Sequence, residues 1–261
     1  MSIVISGRPD GLGNRIEELI VLEAYCLREN CKATYIWKNK PHYFNGQLIP
    51  RSYDIYLSLD KVDIIADVEI KDEVVDFNQI KEGFTQLDFL NVAKNITPNF
   101  NIHFENGVKP LGIHLRGTDR INNKMKHPHF MNSEKEFENL INRTILYINK
   151  HLPSHLFICS DDEKYKEKIL NRINQKIHIV EPIVQKDIPS EYIDFFALSL
   201  CSEVVMCSKF STFAITASMI GNIKLTTFYK DTEVKERYKA LFNYELKSLK
   251  QKIVDIFTFL K

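Results

Sequence analysis

The sequence has no surplus of charge of either sign: 35 Lys and Arg stand against 34 Asp and Glu, a formal net charge of +1. No global field therefore draws the chain toward nucleic acid or an anionic bilayer, and any anion site must be local. Disulfide and zinc signatures are missing too, since the five cysteines (Cys26, Cys31, Cys159, Cys201, Cys207) are odd in number and show no CxxC spacing. A reducing, cytoplasmic setting is the expectation. No window approaches the roughly 18 uninterrupted apolar residues of a membrane span, and residues 1–6 show no basic region leading into a long apolar stretch. Internal repeats and low-complexity segments are absent as well. What is present is ordinary for a soluble protein: 261 residues, 44% hydrophobic, 26% charged and 11% aromatic, which excludes a collagen, a coiled-coil rod or a disordered tail. That length allows one large domain or two small ones sharing a cleft.

Along the chain, strands alternate with helices. Residues 3–6 read as a buried strand entering a glycine turn, after which Ile16, Leu19, Ile20 and Ala24 recur at helical spacing. A second strand is expected at 33–37, and the polar stretch from Lys38 to Pro50 reads as a loop over the sheet edge. Weaker strands at 62–65 and 73–77 and a helix at 84–92 follow. After Pro110 the pattern sharpens, with strands at 111–115, 156–159, 177–180, 204–207 and 224–228 separated by helices at 134–150, 162–173, 190–201 and 211–220. This is α/β wiring with parallel sheets, whose ligand crevice lies at the carboxyl ends of the strands. The domain boundary is placed near residue 108, in Asn106-Gly-Val-Lys-Pro110. Leu246, Leu249, Ile253, Ile256, Phe257 and Leu260 form an apolar stripe that fits a terminal helix docked across a domain. A helix lying on a membrane surface is the alternative.

Four strand ends carry chemistry. Asp10-Gly-Leu-Gly-Asn-Arg15 is a strand-to-helix turn whose glycines let backbone amides approach a phosphate or a sugar, or else a plain tight turn. A dinucleotide fingerprint would require a small residue where Ile16 stands and an acid where Trp37-Lys-Asn-Lys40 is found, so NAD binding is not expected. Gly112-Ile-His-Leu-Arg-Gly-Thr-Asp-Arg120 ends a strand in His114, Arg116, Asp119 and Arg120. Arginine there can grip a pyrophosphate with two parallel hydrogen bonds and stays charged as a leaving phosphate gains negative charge; a simple Arg116–Asp119 pair is the alternative. Phe157-Ile-Cys-Ser-Asp-Asp162 ends in carboxylates better suited to helix capping than to a metal. In Cys207-Ser-Lys-Phe-Ser-Thr-Phe213, Ser211 and Thr212 offer either a second anion cradle or an ordinary N-cap. His127-Pro-His129 lacks a third ligand and reads as a polar loop, placed with Lys124 near the mouth of the cleft.

These segments, in this order and approximate spacing, resemble the fucosyltransferase superfamily: the protein O-fucosyltransferases, the α1,6-fucosyltransferases and the bacterial nodulation fucosyltransferases. The resemblance rests on residues 10–15, 112–119, 158–162 and 194–213, while the stretch from Lys32 to Lys109 matches only in general character. It implies a GT-B architecture, two Rossmann-like domains with parallel sheets facing a central cleft. Residues 1–108 would form the acceptor side and residues 109–261 the nucleotide-sugar domain with its terminal helix. It further implies GDP-fucose as donor, inversion at the anomeric carbon and no cofactor or required metal.

By the same resemblance Arg116 holds the β-phosphate, His114 lies beside the nucleoside, and Asp194 recognises guanine, whose parallel N1–H and N2–H donors suit one carboxylate. Ser211, Thr212 and Phe213 lie under the pyrophosphate, with Gly11 and Gly13 on the donor side and Asn14 facing the reaction centre. Arg15, Arg120 and Lys124 are assigned to the acceptor side. Lys124 stands where the α1,6 enzymes carry a proposed basic glutamate, so the base falls to Asp10 or Asp119, or the proton leaves late to water or phosphate. The expected activity is fucosyl transfer to a glycan or lipid-linked saccharide. The alternative is a nucleotide-sugar or glycan-binding module without the base. Donor and acceptor are the expected partners, with no nucleic acid; peripheral association with the inner face of a membrane remains an open use of the terminal stripe.

Overall fold

The computed structural model describes residues 2–7, 11–38, 42–44, 47–49, 55–66, 86–117, 133–185 and 187–228. Asp10, Asp119, Arg120 and Lys124, the strand expected at 73–77, the histidines of 127–129 and the stripe at 246–260 lie outside the described residues. β1 (Ser2–Ser6) runs into α1 (Leu12–Arg28), then β2 (Lys32–Trp37), the short strands β3 (His42–Phe44) and β4 (Gln47–Ile49), β5 (Leu57–Ser58) and β6 (Val62–Ala66). Next come α2 (Gln86–Ala93), β7 (Thr97–Pro98), β8 (Ile102–His103) and β9 (Leu111–Leu115). The remainder is α3 (Glu134–His151), β10 (His155–Ser160), α4 (Glu163–Leu170), β11 (His178–Ile179), β12 (Ile183–Val184), α5 (Ser190–Ser199), β13 (Glu203–Cys207), α6 (Thr212–Gly221) and β14 (Lys224–Thr227).

Two parallel sheets organise these elements. The first has the order β1-β2-β6 and the second β11-β10-β9-β13-β14. β9 is central and buried at every position, as a parallel strand covered on both faces must be. Its alternate side chains serve two cores. Ile113 and Leu115, with Ile158 and Val205, meet Phe137 and Ile141 of α3 and Tyr165 and Ile169 of α4. On the other face, Cys159 and Met206 join Phe195 and Phe196 of α5, Ile215 of α6, Ile16 and Leu19 of α1, and Ile3 and Ile5 of β1. This second core is continuous from one sheet to the other, with each fully buried aliphatic or aromatic side chain contributing about 1.5–3 kcal/mol.

Helix α1 lies between the two sheets and is buried nearly all round, polar residues included. Each of those has a partner. The Tyr35 hydroxyl donates to Glu18 at 2.5 Å, and Glu23 accepts the Lys61 N–H at 3.0 and 3.2 Å. Burial is the largest influence on Glu23 and pushes its carboxyl above the usual range. Tyr35 fits because Gly7 has no side chain: a Cβ there would lie 2.3 Å from the ring.

Three expectations differ from the structure. The stretch after Lys38 contains β3 and β4, paired antiparallel with Phe44 opposite Gln47, and the Asn45-Gly46 dipeptide between them is a recognised hairpin signal. The helix expected at 162–173 ends at Leu170, where Asn171 caps it. The strand expected at 177–180 keeps two residues, since β11 is an edge strand with β10 as its partner. No helix among the described residues is long and apolar enough to cross a membrane.

Candidate functional site

The register of the second sheet aligns the strand ends. Leu115 pairs with Ser160 on one side and Cys207 on the other, so Arg116, Asp161 and Ser208 leave the sheet together at its carboxyl edge. Asp161 ties two of these exits: its Oδ1 accepts the Gly117 N–H at 2.9 Å. Asp162 caps α4, accepting the Lys164 N–H at 3.0 Å. The acidic pair is thus occupied in shaping the edge, and among the described residues no group of three or more His, Cys, Asp or Glu side chains is arranged to hold a metal.

One row back, His114 lies between Cys159 and Met206 and is 4% exposed. Its ring stacks on Phe213, with centroids 5.5 Å apart and planes 28° apart, and Phe213 in turn meets Phe195 edge-on at 5.1 Å. Phe213 belongs to the first turn of α6. That turn abuts the start of α1, for a Cβ on Gly13 would stand 2.4 Å from the Phe213 nitrogen and 2.7 Å from the Thr212 carbonyl carbon. The missing side chain of Gly13 thus admits another helix. Gly11 differs: it is exposed, has open space beside it, and caps α1 through its backbone with no side-chain bond. Two helix N-termini, each a source of partial positive charge, are therefore held side by side.

The turn from β13 into α6 is buried throughout. Ser208 and Ser211 are 0% exposed, Phe210 3% and Lys209 4%. Ser211 holds the N-cap position yet its hydroxyl makes no capping bond, and neither Ser208 Oγ nor Ser211 Oγ has a hydrogen-bond partner among the described residues. A buried hydroxyl left this way costs about 1–3 kcal/mol, so two in one turn, beside a buried lysine, mark this turn as a candidate site for acceptor atoms. Ser208 and Lys209 were not singled out from sequence. The signal available was a lysine inside an otherwise apolar and hydroxyl-rich strand exit, a position that lysine rarely occupies unless engaged.

Asp194 belongs to α5, and its carboxyl lies beside the Cys159 thiol of β10. Burial foremost, then the negative charge of Glu181, raises its carboxyl to about 6, against the opposing pull of the Cys159 thiol and Lys166. The folded chain favours the neutral acid. Asp194 therefore adds stability that is complete below about 3.8 and is lost as pH rises through about 6. Asp194→Asn, which cannot ionise, is expected to melt above the parent protein at pH 7.5 and alongside it near pH 4. The same offset at both pH values in thermal melts would refute this.

Arg15, assigned to the acceptor side, is 2% exposed; it donates to the Lys38 carbonyl at 2.6 Å and lies 4.5 Å over the Trp37 ring. It braces the exit of β2. Asn14 and Arg116 are half-buried, at the start of α1 and the end of β9. The four motifs thus form one chain of contacts: Gly13 with Thr212 and Phe213, Phe213 with His114, and the residue after Arg116 with Asp161.

No protein-family model and no curated protein matches the sequence. Solved structures do. A crystal structure of POFUT1 in complex with GDP-fucose superposes with a TM-score of 0.51 at 11% identity, covering 87% of this chain and 98% of that one. NodZ α-1,6-fucosyltransferase soaked with GDP-fucose gives 0.51 at 12% identity, over 84% and 92% of the two chains. Fucosyltransferase NodZ from Bradyrhizobium gives 0.50 at 12%, over 83% and 91%. Parallel α/β sheets in this arrangement, matched across most of the chain, show the GT-B fold that these solved structures share.

Proposed function

We propose that the chain is an inverting, metal-independent glycosyltransferase that moves fucose from GDP-fucose to a hydroxyl of a glycan or lipid-linked saccharide. The observation that carries this reading is the buried turn of Ser208, Lys209 and Ser211 at the α6 N-terminus, next to the strand end that bears Arg116. The fold likeness supports it, and structures of both neighbours hold the nucleotide: POFUT1 in complex with GDP-fucose or GDP, and NodZ soaked with GDP-fucose.

In this reading the pyrophosphate sits at the buried turn, where the serine hydroxyls and the α6 amides donate to its oxygens. Arg116 forks onto the β-phosphate and stabilises the charge that grows there as the glycosidic C–O bond breaks. His114, fixed by Phe213, flanks the nucleoside, and Asp194 accepts N1–H and N2–H of guanine. The acceptor oxygen attacks from the opposite side of the sugar, which inverts the anomeric centre. Its proton goes to Asp10 or Asp119. Residues 1–108 supply the acceptor side and residues 109–261 the donor side.

The test is a thermal-shift panel of GDP, UDP and ADP. A ligand at about a hundred times its Kd stabilises the folded state by about 2.7 kcal/mol, so GDP is expected to raise Tm well beyond UDP or ADP, with no loss on adding a chelator. Equal shifts, or a preference for UDP, would remove the guanine assignment. A GDP-selective protein that neither hydrolyses GDP-fucose nor transfers fucose to any of a broad acceptor panel would be a binding module.

A further inference from the structure

Helix α1 ends in a way that brings two thiols together. Asn30 adopts a left-handed conformation at φ 48°, and the Cys31 N–H bonds back to the Cys26 carbonyl at 3.0 Å. This is the six-to-one hydrogen bond of a Schellman cap, in which the residue after the left-handed position packs its side chain on the residue five earlier. In most helices that pair is aliphatic. Here both members are cysteine, and both side chains are packed in the same core.

The surroundings assign the two sulfurs different parts. Cys26 is fully buried, and burial, the Cys31 contact and the nearby Glu23 carboxylate hold its thiol protonated, up to about 12. Cys31 is 7% exposed and is flanked by the exposed residues Glu29, Asn30 and Lys32, so it is the sulfur an oxidant reaches. The other three cysteines lie elsewhere: Cys159 beside Asp194, Cys201 donating to the Ala197 carbonyl at 3.4 Å, and Cys207, fully buried, beside Thr144.

We propose that Cys26 and Cys31 form a reversible thiol-oxidation site, with Cys31 attacked by a peroxide and Cys26 resolving it to a disulfide across the helix cap. The Cys31 sulfur gives up its proton and displaces hydroxide from the peroxide O–O bond; the hydroxide takes that proton and leaves as water, and Cys31 becomes a sulfenic acid. The Cys26 sulfur then attacks the Cys31 sulfur, the S–O bond breaks, and the hydroxyl leaves with the Cys26 proton as water. Two thiols lose two electrons, and one hydrogen peroxide becomes two waters. The cap already holds the two residues as neighbours, so α1 need not unwind. At 1.5 Å per residue the pair lies roughly 22 Å from Gly11, so the site is independent of donor chemistry at the other end of the helix.

The test uses the full-length protein treated with hydrogen peroxide, alkylated and digested with trypsin. Peptides 16–28 and 29–32 are expected joined and two hydrogens lighter than the separate pair, and released by a thiol reductant, with Cys159, Cys201 and Cys207 recovered as thiols. Cys26→Ser is expected to leave Cys31 as sulfenic or higher acid, and Cys31→Ser to leave Cys26 unmodified. Recovery of both as free thiols, cross-linking of either to another cysteine, or oxidation of Cys26 in Cys31→Ser at the parental rate would overturn the proposal.

Discussion

Arg116→Ala is expected to slow GDP release from GDP-fucose by about 100-fold or more, about 3 kcal/mol of lost transition-state stabilisation, while Tm stays close to that of the parent. Arg116 leaves the central strand beside the turn that holds two buried serine hydroxyls without partners among the described residues, so in the proposed mechanism its cation stands where the pyrophosphate is received. The departing β-phosphate gains charge along the reaction, and a guanidinium holds it better in the transition state than in the ground state. Arg116→Lys should recover little, because an ammonium cannot form the two parallel bonds. Near-parental turnover in Arg116→Ala would make this residue a structural element of the strand exit and end the proposed mechanism.

Gly13→Ala is expected to be the most destabilising single-methyl change near the site. Its Cβ would meet backbone atoms, the Phe213 nitrogen at 2.4 Å and Cα at 2.6 Å and the Thr212 carbonyl carbon at 2.7 Å, so relief requires moving a helix rather than rotating a side chain. Overpacking of this kind costs about 1–3 kcal/mol or more. Because the displaced turn carries Ser211 and the Phe213 ring under His114, nucleotide binding should weaken along with stability. Gly11→Ala is the control: with open space beside it and φ of −63°, it should cost less than about 1 kcal/mol, the ordinary penalty for alanine at an N-cap. Comparing the two melts settles the matter. Equal stability would mean that the α1 and α6 starts are not in contact.

Much of this protein is legible as pattern. The apolar run at 111–115 bounded by Pro110 and Arg116, and the heptad-like spacing of Phe137, Leu140, Ile141, Thr144, Ile145 and Ile148, announce β9 and α3 directly, because a buried strand and a one-sided helix impose those periods on the residues they bury. The two-residue pairing of β8 with β12 leaves no such trace: Ile102 and His103 meet Val184 and Ile183 across some 80 positions of chain, too short a contact to need a repeating pattern. Nor did helical spacing at 16–24 reveal that α1 is enclosed on all sides. Arg15, Glu18 and Glu23 look like a solvent face until Trp37, Tyr35 and Lys61 supply their partners.

The chemistry divides along the same line. Residue identity alone limits which groups can hold a phosphate or a guanine, since a guanidinium keeps its charge and its forked donors wherever it is placed, whereas the charge of a carboxyl such as Asp194 is set by its burial. It also marks each strand end, because polar residues interrupt the apolar runs there. Which of those groups meet is decided by register and helix packing. The pairing of Leu115 with both Ser160 and Cys207 levels the three strand exits, and the missing side chain of Gly13 lets the first turn reach Thr212 and Phe213 from 199 positions away. A local pattern carries no information about contacts of that range, for many arrangements bury the same stripes. Only the folded chain, where close packing must hold everywhere at once, selects the one in which Ser208 and Ser211 end up buried together beside Arg116.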